Sequence, residues 1–176
     1  MMARENILIQ CIGFIGTALF VASYQCKSNR KLFALQFLSY LFYTLHFLLL
    51  GAVTGAASYI INAIRSFCLA SSNRFARSRT MCAIICAMQL AALCLTWSGW
   101  LSLLPIIANI AATIGGYTHN GQKIRAVGMF VNSPMWIIYD ILVGSWAGIV
   151  DEAITEAAMI ISVVRFGWKN LDETEK

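Results

Sequence analysis

The 176-residue chain is 59% hydrophobic and only 12% charged, with a mean hydropathy of +0.70. A soluble domain covers its surface with about 25% charged residues, so a water-soluble domain, a secreted disulfide scaffold and a disordered chain are excluded, and an integral membrane protein is expected. The net charge of +5 and the pI near 9.0 would suit an anionic partner, but the placement of the charges makes them marks of orientation, with no nucleic acid expected as a partner.

Seven apolar runs lie near the roughly 20 residues that cross a hydrocarbon core. They predict helical spans at Asn6–Gln25, Lys31–Leu50, Ala52–Ala70, Met81–Trp97, Trp100–Thr118, Ile124–Val143 and Ser145–Phe166. Gly51 alone separates spans two and three, and Gly144 separates six and seven. The runs lack the alternation of membrane barrel strands. Span one reads as a retained helix, because Met1–Glu5 carries no net positive charge and Lys27, Arg30 and Lys31 follow the apolar run. With sides alternating, one face receives Lys27, Arg30, Lys31, Arg74, Arg77, Arg79, Lys123, Arg125, Lys169 and Lys176, and the other only Arg4. The positive-inside rule then predicts a multi-pass plasma-membrane protein with its N-terminus outside and its C-terminus cytoplasmic. Arg65 and Arg165 fall within or at the inner ends of helices.

Spans one to three and five to seven read as two copies of one unit. Shifted by 93 residues, Tyr24 meets Tyr117, Phe37 meets Phe130, Leu49 meets Leu142, and the turn Gly51–Gly55 meets Gly144–Gly148 without a gap. Span four, between the copies, acts as an inverter, so that both copies run the same way. The expected organisation is residues 1–70 as the first three-helix repeat, 71–99 as a basic loop and inverter helix, and 100–176 as the second repeat with a short charged tail. The fold class is all-α membrane protein.

This three-plus-one-plus-three plan resembles that of the SWEET sugar transporters and the PnuC vitamin transporters. The segments His46–Gly51, Ile61–Arg65, Leu103–Ile107 and Trp146–Gly148 resemble, more closely, the YgjV-like family of bacterial inner-membrane proteins. The SWEET likeness implies alternating access between the units, with a solute site built from Trp and Asn near mid-membrane, here Trp136, Tyr43, Asn62 and Asn132. The prolines depart from that pattern: Pro105 and Pro134 both lie in the second repeat, opposite Ile12 and Leu41.

Ionisable groups within the bilayer are costly and mark candidate sites. Glu156 lies eight residues beyond Gly148, roughly 12 Å along the helix, and Arg65 lies at nearly the same depth. Glu156 is read as a proton-coupling acid, as a binder of a polar or cationic substrate group, or as half of a structural bridge to Arg65. Tyr43 and Trp136 form an aromatic pair under the repeat, with Ser39 and Asn132 a polar pair one turn away; such groups suit a neutral, planar or sugar-like solute. His46 and Asp140 are candidate outer-gate residues. Asp151 and Glu152, with Asp140 on the same side, read as an acidic entrance that attracts cations or as a solvated helix start, and His119 as an inner-loop residue without a role. Gly13 and Gly16 read as close helix packing. Cys82, Cys86 and Cys94 share a helix face, but the cysteines make no metal-ligand spacing, and no cofactor is expected.

No nucleophile–base pair, zinc motif or phosphate loop occurs, so enzymatic activity is not expected. The reading is a transporter, facilitator or proton-linked, for a small polar solute, working as a monomer or homo-oligomer in the lipid bilayer. A receptor or scaffold that keeps the fold without transport is the alternative.

Overall fold

The computed structural model describes residues 2–49, 53–97, 99–143 and 146–171; the turn residues Gly51, Ala52, Gly144 and Ser145 lie outside it. The described residues contain no strand and form α1 (Met2–Tyr24), α2 (Asn29–Leu49), α3 (Val53–Ala70), α4 (Arg79–Thr96), α5 (Leu103–Gly116), α6 (Gly121–Val127), α7 (Ser133–Val143) and α8 (Trp146–Phe166). Two helix starts are capped: Ser78 Oγ accepts from Met81 N at 3.2 Å before α4, and Asn120 Oδ1 accepts from Lys123 N at 2.8 Å before α6.

The predicted sixth span is one rod with a defect. α6 and α7 are joined by a π-helical turn, Gly128–Asn132, in which the Ser133 N–H reaches back five residues to Gly128 O. Pro134 follows at once. It has no N–H to return to Phe130 O, which frees the carbonyls of this turn from regular α-helical bonding. Seven rods therefore correspond to the seven expected spans.

The rods pack as two like units. In the first, α2 is central and lies against both α1 and α3; in the second, α7 is central and lies against both α5 and α8. α4 packs on α3 and on α5, and the two units meet along α1 and α8. α1 closes at Tyr24, and Tyr117, 93 residues on, caps α5.

Polarity is distributed inside out. Leu8, Phe14, Leu45, Phe67, Ile84, Ile114, Phe130, Ile141, Ile161 and Val164 are exposed, whereas Gln36, Ser39, Asn62, Arg65, Gln89, Asn109, Thr113, Arg125 and Ser162 are buried. Such an arrangement suits lipid outside and satisfied polar groups within. On length and composition alone, one helix among the described residues, Arg79–Thr96, is long and apolar enough to cross a membrane. α5 falls short in length, and α8 carries Asp151, Glu152, Glu156 and Arg165 along its run.

Candidate functional site

The first unit is drawn tight by two glycines of α1. A Cβ on Gly13 would come within 3.1 Å of the His46 ring, and one on Gly16 within 3.3 Å of the Tyr43 ring. This close approach lets Ser39 Oγ donate to Gly16 O at 2.7 Å and brings His46 Nδ1 within 2.8 Å of Ile9 O. His46 is thus fastened to the backbone of α1. The side chain of Asp140, its expected companion at an outer gate, lies outside the described residues.

Tyr43 stands at the heart of an aromatic cluster. Its ring stacks on Tyr59 (centroids 5.0 Å apart), Tyr59 meets Tyr40 at 5.9 Å, and Phe20 touches both Tyr40 and Tyr24 at 5.6 Å. The Tyr43 hydroxyl is 2.8 Å from Thr17 Oγ1. From α8, the Asp151 carboxylate lies near both of these hydroxyls, and its Oδ1 has no hydrogen-bond partner. One threonine, one tyrosine and one carboxylate, from α1, α2 and α8, therefore close the junction between the units.

Arg65 enters the cluster from α3. It is 4% exposed, its Nη2 donates to the Tyr40 hydroxyl at 3.0 Å, and its guanidinium lies 5.8 Å from the Tyr40 ring centroid. Its Nε and Nη1 have no hydrogen-bond partner. The expected bridge to Glu156 is not formed. Arg65 is held by α2 within its own unit, while Glu156 faces α7, where it comes within reach of the Ser133 hydroxyl and keeps Oε2 unpartnered. Each member of the expected pair is thus engaged inside its own repeat.

The other expected substrate residues divide. Asn62 Oδ1 accepts from Gln89 Nε2 at 3.3 Å, which ties α3 to the inverter helix α4. Asn132 Nδ2 donates to Ala108 O in α5 at 3.0 Å, and Trp136 packs edge-on against Tyr139 at 5.8 Å. Tyr43 and Trp136, paired by the repeat, thus make their contacts in different units. Gln89 Oε1, Ser66 Oγ and Asn109 Nδ2 are also buried without partners. Each such group costs free energy in a hydrocarbon setting.

Two residues make contacts that the sequence reading did not give them. Arg125 carries no exposed surface, and it donates to Ser162 Oγ at 3.0 Å, Gly121 O at 3.3 Å, Tyr24 O at 3.2 Å and Cys26 O at 3.0 Å. It locks the C-terminal end of α1 to α6 and α8. Asp151 is the second. The buried face of α8 runs through Thr155, Ala158, Met159 and Ser162, and helical spacing carries that face one turn back to Asp151. His119, expected to be without a role, has Nδ1 3.3 Å from Arg77 Nη2 and Nε2 3.1 Å from Arg77 O, and so ties the α3–α4 loop to the end of α5.

No curated protein and no solved structure matches the chain. The profile of the Imp-YgjV family, described as bacterial inner membrane protein, matches residues 7–170, nearly the whole chain. With its apolar exterior and seven rods, the chain belongs to this family of bacterial inner membrane proteins.

Proposed function

We propose that this protein is a carrier for a small polar solute, a multi-pass protein with its N-terminus outside and its C-terminus cytoplasmic, and that the two three-helix units move against one another along the α1–α8 contact. The observation that carries the reading is the set of buried, under-partnered polar groups, Arg65, Asp151, Glu156 and Asn109, inside an apolar bundle. A structure maintained for its own sake would pair or discard them. The contact between the units also has two separable ends: Thr17, Tyr43 and Asp151 at one, Arg125 with Tyr24, Cys26 and Ser162 at the other. Opening one end while the other holds is alternating access. The π-helical turn before Pro134 gives the second unit a bending point that α2 does not contain. The resemblance of the sequence's helix plan to that of the SWEET transporters supports the same motion.

A receptor or scaffold is favoured by one feature, the Arg125 clamp, which ties both units together with every bond made inside the protein. The two readings separate in proteoliposomes loaded with purified protein and offered a mixed pool of cell metabolites, with and without a pH gradient. Mass spectrometry of the contents is expected to find one solute class enriched. Glu156→Gln should remain folded and reduce that enrichment by roughly tenfold or more, the scale of one lost charged interaction. No enrichment from folded, correctly inserted protein would favour the scaffold.

A further inference from the structure

The groups at the junction differ in sign and lie by two tyrosines that stand about one turn apart on α2. Arg65 is anchored on Tyr40, and Asp151 reaches Tyr43, three residues further along α2, a rise of roughly 4.5 Å. Arg65 Nε and Nη1 are buried and unpartnered, and so is Asp151 Oδ1. The two side chains are not spent on each other, although direct pairing would be the cheapest way to keep both charges in a bundle. Between them lie the rings of Tyr40, Tyr43 and Tyr59.

Aromatic faces beside a carboxylate attract an ammonium group, and a guanidinium with spare N–H groups attracts a carboxylate. A purely cationic ligand would leave Arg65 Nε and Nη1 without acceptors, a purely anionic one would add charge beside the Asp151 and Glu152 carboxylates, and an uncharged one would meet neither charge. One molecule that carries both charges a few bonds apart serves both.

We propose that the junction binds a small zwitterion of the amino-acid type, with its ammonium at Asp151 against Tyr43 and Tyr59 and its carboxylate at Arg65 Nε and Nη1. The inference rests on the carrier reading and names its substrate class. Because the rings are in contact, α8 must draw away from α2 to admit the ligand, and binding then closes the junction again.

The test uses the full chain in lipid nanodiscs, with thermal unfolding as the readout. The probes are the proteinogenic amino acids, their decarboxylated amines and their deaminated acids. At least one amino acid is expected to raise the unfolding temperature, and neither of its half-molecules should do so. Asp151→Asn and Arg65→Gln should each weaken the response by roughly tenfold or more. The probe series on the unmodified protein stands even if a variant fails to fold. Equal stabilisation by the amine or the acid alone, or no response to any probe from folded protein, overturns the proposal. The vesicle assay keeps the two readings apart. A zwitterion that binds but does not accumulate leaves this proposal standing and removes the carrier. Accumulation of an uncharged solute does the reverse.

Discussion

Arg125 and Arg65 are both arginines enclosed in an apolar bundle, and the fold provides for them in opposite ways. Arg125 gives its N–H groups to three backbone carbonyls and a serine hydroxyl. The Tyr24 carbonyl closes α1, where the helix dipole is negative and a cation is favoured. Arg65 makes one hydrogen bond and leans on a ring, with two nitrogens left over. A buried charge whose hydrogen bonds are all made inside the protein acts as part of the frame. One held by a single bond keeps capacity for something else, and the difference separates frame from site in a family whose name specifies a membrane and no solute.

Substitutions at the two arginines test that comparison directly. The largest effect is expected from Arg125→Met, which leaves four acceptors without their donor. At about 1 kcal/mol per hydrogen bond, the loss is about 3–4 kcal/mol, measured by thermal unfolding in nanodiscs. Gly121→Ala should come next. A Cβ there would run into the carbonyl oxygen of Leu171, so the backbone that also supplies an acceptor to Arg125 must shift. The cost of such overpacking is about 1–3 kcal/mol. The smallest change in stability is expected from Arg65→Met, less than about 1 kcal/mol and toward greater stability, because an under-satisfied buried charge is exchanged for apolar volume. The same variant should lose its response to solute. If it unfolds as readily as Arg125→Met, the distinction between the two arginines fails.

The rods were largely legible in the sequence, because hydropathy needs only the one-dimensional run of apolar residues. The 93-residue shift led to the expectation of a repeat, and α2 and α7 each pack between two other helices. The site was legible in part. Tyr43 lies in the aromatic cluster by α1 and α3, but the depth argument that joined Glu156 to Arg65 failed, because equal depth says nothing of the direction in which two side chains leave their helices. Asp151 was hidden by a second physical role, since carboxylates belong at a helix start whether or not they bind anything. Arg125 was hidden by its usefulness as a topological marker; a lysine or arginine at a cytoplasmic helix end is ordinarily in water, and this one carries no exposed surface.

The π-helical turn bears on how the two halves can be compared. Before it, the sixth rod buries Ile124, Arg125 and Gly128, one residue earlier than the counterparts of the α2 positions Leu32, Phe33 and Gln36. After it, Ser133 falls on the counterpart of Tyr40, and both are buried. The wider winding of Gly128–Asn132 has absorbed one residue and restored the phase, about 100° of rotation, between the duplicated helices. It works as a vernier. Two helices offset by one residue remain able to present the same face inward, and a helix in this fold tolerates an insertion at that turn without rewriting every neighbour beyond it.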